Sequence, residues 1–264
     1  MRRRLIIIGN TGSKDHYVDS VNYDILNYKK YFTTGNGGAW DIDDEIYTPE
    51  VNTFSWQALD SYMTLCEDQN HVDLWVIVFT GHGWADETSK DTFLEPRPGT
   101  TQQEDIPVSW IRQKTHNSRC LLIADSCRVL MPIVEGREVR ERSFSFSDND
   151  DDNYKRQCRA LYERLLIGVP VGSFCAGYAC LLNQTAGNVL GDTGGLYSDA
   201  LLNVAAAEIE GVKNTHSDEP VISFSYIHAM ARRRVIDATG GKQIPELDHD
   251  RARQIPFCVI PQWR

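Results

Sequence analysis

The chain has 264 residues, 41% of them hydrophobic and 24% charged, with 19 Gly and 10 Pro, values that describe a packed globular chain and exclude a disordered or fibrous one. A formal charge of −10, from 27 basic and 37 acidic residues, gives a field that repels phosphate backbones and sets nucleic acid aside as a partner. The seven cysteines lack the C-x-x-C pairs of a zinc site and the spacing of a disulfide framework, so they read as reduced thiols of a cytoplasmic protein.

The basic start at Met1 to Arg4 has the charge of a signal peptide, but its apolar run over 5–8 ends at Gly9-Asn10. That is too short for a signal core, and no later run approaches the ~18 apolar residues of a membrane span. Residues 5–8 are instead the first strand. Over 19–31, Val21, Ile25, Tyr28 and Phe32 recur every three or four residues and predict an amphipathic helix. Ile46 and Tyr47 form a short strand before Pro49. Thr53 caps a helix reaching about Cys66, and 74–79 is a continuous apolar strand ending at Thr80-Gly81-His82-Gly83. A short helix spans about 107–115, and the next buried strand, 120–124, ends at Asp125-Ser126-Cys127.

Between 129 and 160 the character changes: Glu135, Arg137, Arg140, Glu141 and Arg142 precede a Ser/Phe stretch and an acidic run over 148–152. Such a segment cannot bury a core and is expected to be a mobile linker. A helix follows near 155–166, then an apolar strand around 169–176. Gly194-Gly195 leads into a helix from about Tyr197, a further helix covers 224–236, and 257–260 is the last strand. There is no internal repeat. Short apolar strands alternating with segments of helical period predict an α/β chain with a mainly parallel sheet covered on both faces.

In such a sheet the parallel strands deliver their C-terminal ends to one edge, where ligands and catalytic groups collect. His82 follows one buried strand and Cys127 follows another, so both emerge at that edge. An imidazole can take the thiol proton, and the thiolate is the nucleophile that peptide cleavage needs. Gly83 lets an acyl carbonyl come close to its backbone, and its N–H with that of Cys127 could form an oxyanion hole.

Phe79-Thr80-Gly81-His82-Gly83 and Ile123-Ala124-Asp125-Ser126-Cys127-Arg128 resemble the two signatures of the caspase-like cysteine proteases. Ile8-Gly9-Asn10, Asp24, Gly195-Leu196-Tyr197-Ser198 and Gln243-Ile244-Pro245-Glu246 extend the resemblance, the last being similar to a segment of metacaspases. It covers nearly the whole chain outside 129–160. It implies one peptidase domain over 1–264 with a caspase-hemoglobinase fold, a sheet of about six strands, a catalytic dyad of Cys127 and His82 with no third triad member, and a protein or peptide substrate. Asp125 stands where metacaspases carry the aspartate of the S1 pocket, which receives the side chain before the scissile bond, and this implies cleavage after Arg or Lys. The plainer reading of Asp125 is a hydrogen-bonded carboxylate that supports the loop. Cys175 and Ala176, on a segment similar to the caspase substrate strand, are expected to pair with the peptide backbone.

Caspase relatives are often cut after the nucleophile, which makes Arg137, Arg140, Arg142, Arg156 and Arg159 candidate autocleavage sites. The chemistry requires no cofactor and no metal. The resemblance does allow calcium as an activator, although contiguous aspartates over 148–152 do not match an ordered calcium loop. His16 and Lys14 face the same edge and are candidates for the S1 mouth. With no recruitment domain expected, activation falls to a nucleotide-type or other small molecule, an ion, homodimerisation or an upstream signalling protein. Proteases of this size resemble effectors of bacterial antiviral immunity. Two other readings stay open: a catalytically silent peptide-binding scaffold, and a separase- or clostripain-like protease of the same clan.

Overall fold

The computed structural model describes residues 1–13, 18–99, 101, 103–128, 138–139, 151–189, 194–215, 221–249 and 255–261. Three apolar runs form the centre of a sheet: β1 (Arg3–Gly9) is followed by α1 (Ser20–Thr33), β2 (Ile46–Tyr47) and α2 (Trp56–Gln69), and then by β3 (Leu74–Gly81). Three short strands, β4 (Gly83–Ala85), β5 (Thr92–Leu94) and β6 (Ile106–Pro107), make a small antiparallel sheet before α3 (Val108–Lys114) and β7 (Arg119–Ser126). After β8 (Glu138–Val139) come α4 (Asp152–Ile167), β9 (Phe174–Tyr178), β10 (Asn188–Val189) and α5 (Leu196–Thr215). The chain ends with β11 (Val221–Ser223), α6 (Phe224–Thr239), β12 (Glu246–His249) and β13 (Pro256–Val259).

The central sheet has six strands in the order β12-β9-β7-β3-β1-β2, all parallel except β12. Side chains alternate across it with the period of two that strands impose. Leu5, Ile7, Val76, Val78, Leu121 and Ile123 face the layer that holds Tyr28, Tyr162, Leu201 and Phe224. Ile6, Ile8, Trp75, Ile77, Phe79 and Leu122 face Leu59 and Met63 of α2 and Ile111 of α3. This two-sided burial explains why β1, β3 and β7 read as continuous apolar runs.

Three sequence expectations shift. Helix α2 is capped by Ser55, whose Oγ accepts the Ala58 N–H at 3.1 Å, whereas the Thr53 hydroxyl donates to the Glu50 carbonyl. The strand expected from 169 begins at Phe174, because a turn intervenes: the Ser173 N–H bonds to the Pro170 carbonyl and Gly172 has φ +83°. The last apolar strand, β13, pairs antiparallel with β11 in a separate two-stranded sheet, and the sixth central strand is the polar β12.

Candidate active site

Strands β3 and β7 run in register to their ends, with Thr80 opposite Asp125 and Gly81 opposite Ser126. His82 and Cys127 are the next residue on each, so they leave the same edge on neighbouring strands, whose backbones lie about 4.8 Å apart in any sheet. Gly81 has φ +134°, and a Cβ there would stand 2.2 Å from the Asn10 carbonyl oxygen. Only glycine fits this crossing of β3 and the end of β1. The same junction is tied by the Asn10 N–H to the Thr80 carbonyl at 3.0 Å, and beyond it the His82 carbonyl accepts the Glu95 N–H at 3.1 Å.

Cys127 is half-buried, and its Sγ accepts the Ala186 N–H at 3.3 Å. Burial pushes the thiol above its ordinary acidity range, the Ala186 N–H pulls it back, and the Asp125 charge adds to the rise. The residue after Cys127 anchors its loop. Arg128 is 5% exposed, its Nε donates to Thr92 Oγ1 at 2.9 Å, and one terminal nitrogen donates to the Cys180 carbonyl at 3.1 Å and pairs with the Glu246 carboxylate. Its guanidinium also lies 4.1 Å from the Tyr178 ring centroid. The sequence reading used Arg128 only as part of a signature; its role in joining β5, β9 and β12 needs the fold.

Gly83 serves packing as well as access. A Cβ there would meet Ser126 Oγ at 2.8 Å and the Phe93 carbonyl at 2.9 Å, so the missing side chain lets β4 lie against Ser126. Because the Glu95 N–H bonds to the His82 carbonyl and Gly83 pairs with Leu94, Gly83 falls at the alternate, non-hydrogen-bonded position. Its N–H therefore points away from β5.

Beneath this edge lies a pair of buried acids. Asp125 Oδ2 accepts the Ser198 N–H at 2.8 Å, and Asp24 Oδ1 accepts the Gly195 N–H at 2.9 Å, both at the N-terminus of α5. Asp24 Oδ2 also accepts the Thr80 hydroxyl at 2.6 Å. Burial pushes the Asp125 carboxyl up to about 6, against the Ser198 hydrogen bonds. Burial, and after it the Asp125 charge, push Asp24 well above the usual carboxylate range. Among the described residues neither acid is paired with a Lys or Arg. Helix N-terminal amides stabilise anions, so the site favours charge here even while burial opposes it.

A family model described as "Caspase domain" matches residues 2–255. The chain belongs to the caspase-domain family, whose members are cysteine peptidases. Solved structures agree on the fold. Caspase-1 from Spodoptera frugiperda superposes with a TM-score of 0.54 at 11% identity, covering 94% of this chain and 86% of that one. A protein from Geobacter sulfurreducens gives 0.57 at 14%, covering 99% and 100%, and the Drosophila initiator caspase Dronc gives 0.53 at 13%, covering 92% and 78%. A comparison with curated protein sequences finds no match. The six-stranded, mainly parallel caspase-like sheet expected from the resemblance is the one found.

Within this caspase domain some expected roles move. Cys175 and Ala176 do not offer a free strand edge: β9 is parallel to β7 on one side and antiparallel to β12 on the other, with Cys175 opposite His249 and Ala176 opposite Asp248. Strand β10 starts just after Ala186, whose N–H meets the Cys127 sulfur. One edge of β10 is closed by the Asn188–Gly195 bridge, and the other is paired by β8 from the insert. Arg156 and Arg159 are corrected as cleavage sites, since both lie inside α4 and Arg159 binds Glu45 at 2.8 Å. A helix must unwind before a protease can hold it extended. Arg137, Arg140 and Arg142 lie outside the described residues, as do Lys14, His16 and 148–150. Asp151 caps α4 by accepting the Tyr154 N–H at 2.7 Å. Among the described residues no three His, Cys, Asp or Glu side chains are grouped to hold a metal ion, and no helix is long and apolar enough to cross a membrane.

Proposed function

We propose that the protein is a cysteine endopeptidase that cleaves after Arg or Lys, with Cys127 as nucleophile and His82 as general acid and base. The imidazole takes the Cys127 proton as sulfur attacks the scissile carbonyl carbon. The carbonyl oxygen becomes an oxyanion that accepts hydrogen bonds from the N–H groups of Cys127 and Gly83. His82 then protonates the departing amine, and afterwards it takes a proton from the water that hydrolyses the thioester. The observation that carries the specificity is the Asp24/Asp125 pair: two buried carboxylates, one of them two residues before the nucleophile, lack a cationic partner among the described residues. A substrate guanidinium or ammonium supplies that partner, with Asp125 as the principal contact. Main-chain recognition of the peptide falls to the edge of β10 that β8 occupies, so a substrate must displace β8.

The insert gives the reading a second consequence. β8 comes from between Arg137 and Arg140 in sequence and pairs with β10, which supports autoprocessing after Arg137, Arg140 or Arg142. Control by calcium, a nucleotide-type ligand, a homodimer partner or an upstream protein, and a part in antiviral defence, complete the proposal on the strength of the family resemblance.

The test uses fluorogenic peptides ending in Arg, Lys or Asp, wild type and Cys127→Ala, with and without calcium. Turnover of the Arg and Lys peptides by wild type alone supports the proposal. Preference for Asp would remove the role given to Asp125, and absence of turnover under every activating condition would favour the silent scaffold.

A further inference from the structure

The mechanism leaves a second thiol unused beside the nucleophile. Cys180 is fully buried, and its Sγ lies 3.1 Å from the Gln184 carbonyl and 3.5 Å from the Ser126 carbonyl. The Ser126 carbonyl belongs to the peptide unit that leads into Cys127. The Cys127 sulfur, for its part, takes the Ala186 N–H at 3.3 Å. Both sulfurs therefore grip the same tripeptide, Gln184 to Ala186. The turn is fixed to the nucleophile's loop by the Arg128 N–H to the Gln184 carbonyl at 3.1 Å and the Asn183 N–H to the Arg128 carbonyl at 3.0 Å.

Strand register places the backbones as well. Ala124 is opposite Tyr178, and the Ala179 N–H bonds to the Ala124 carbonyl at 2.9 Å. The Cys180 sulfur, in contact with the Ser126 carbonyl beyond the end of β9, therefore lies one peptide unit from Cys127. The electrostatic influence of Cys127 is also felt at Cys180.

We propose that Cys180 is the resolving thiol of a reversible redox lock on Cys127, engaged by a hydroperoxide. Half-buried Cys127 meets the oxidant, while buried Cys180 does not. The Cys127 thiolate attacks the distal peroxide oxygen, so an S–O bond forms as the O–O bond breaks. An alcohol leaves, or water when the oxidant is hydrogen peroxide, and Cys127 becomes a sulfenic acid. Cys180 sulfur then attacks Cys127 sulfur, the S–S bond forms, the S–O bond breaks, and the hydroxyl leaves as water with the Cys180 proton. Two thiols and one hydroperoxide give one disulfide, one alcohol and one water. The lock removes the nucleophile and spares it from the irreversible sulfinic acid. The other five cysteines are buried.

The proposal rests on Cys127 as the reactive thiol, but its readout is sulfur chemistry and does not need proteolysis. The full chain is treated with a few-fold excess of hydrogen peroxide, alkylated under denaturing conditions and mapped by mass spectrometry without reduction. A Cys127–Cys180 cross-linked peptide, with two thiols lost and both restored by dithiothreitol, is the expected result. In Cys180→Ser the same treatment drives Cys127 to sulfinic acid that dithiothreitol does not reverse. Wild type in which Cys127 advances to sulfinic acid while Cys180 stays alkylatable, in which Cys127 links to another cysteine, or in which no thiol is lost overturns the proposal. A protein that forms the cross-link but cleaves no peptide upholds the lock and removes the peptidase reading.

Discussion

The sulfur of Cys127 rests on the Ala186 amide, and burial is the largest influence on its acidity. Burial of the thiol favours its protonated form. The rate of Cys127 alkylation by iodoacetamide should therefore rise with pH to a midpoint above that of an ordinary thiol; a midpoint near neutrality would show a resting thiolate–imidazolium pair instead. The Asp125 carboxylate separates charge from shape in the same way. Asp125→Asn keeps an oxygen for the Ser198 N–H and removes the charge, so the fold should hold while kcat/KM for Arg and Lys peptides falls about 10²- to 10³-fold, the cost of a lost buried charge pair. An unchanged kcat/KM would assign Asp125 to loop support alone. A silent edit at residue scale is Ser126→Ala: the Ser126 hydroxyl, beside Gly83, is buried without a hydrogen-bond partner among the described residues.

At the scale of elements, the N-terminus of α5 joins the acids to the sheet edge. A Cβ at Gly195 would stand 2.3 Å from Asp125 Oδ2 and 3.1 Å from Asp24 Oδ2, so Gly195→Ala must push a carboxylate off its amide partner. Loss of about 1–3 kcal/mol is expected from such overpacking, read as a lower denaturant midpoint at constant slope; a wild-type midpoint would mean that the acids move freely. Much of this architecture is legible in sequence because β1, β3 and β7 are buried on both faces and leave unbroken apolar runs. Their ends alone put His82 and Cys127 at one edge on neighbouring strands. Strand β12 is not legible, because an edge strand with one face in solvent reads Glu-Leu-Asp-His and shows no apolar run. The apolar β13 attracts the assignment that belongs to it. Strands β4 to β6 are two or three residues long, below the length at which alternation can be seen. The pairing of Asp24 with Asp125 spans two elements far apart in sequence, and only β3 lying between β1 and β7 brings them together.

For the whole molecule, two acid sites pull stability in opposite directions with pH. On the same face of the sheet but at the opposite end of the strands, fully buried Arg3 and half-exposed Arg159 both grip Glu45, at 3.0 and 2.8 Å. Burial opposes the Glu45 charge, but the Arg3 guanidinium prevails and holds the carboxyl below its ordinary value, so this contribution is present above about pH 4.5 and lost on further acidification. Asp24 and Asp125 are raised instead, so the folded state binds protons more tightly than the unfolded one. The Asp125 contribution is complete below the unfolded value near 3.8 and is lost as pH climbs through about 6, and that of Asp24 runs in the same direction. Near pH 5 both sites favour the fold. The denaturation free energy of wild type should therefore be higher at pH 5 than at pH 7.5, by about 1 kcal/mol for Asp125 alone. Asp125→Asn, which cannot titrate, should lose that part of the difference. Peptidase activity toward Arg substrates should run the other way, rising between pH 5 and 7.5 as Asp125 ionises to meet the cation. A wild type equally stable at the two pH values, or an Asn variant that keeps the full difference, would mean that the acid pair is not the strained element. Opposite slopes of stability and activity, both flattened by the same substitution, are what a site that trades fold energy for cation recognition must show.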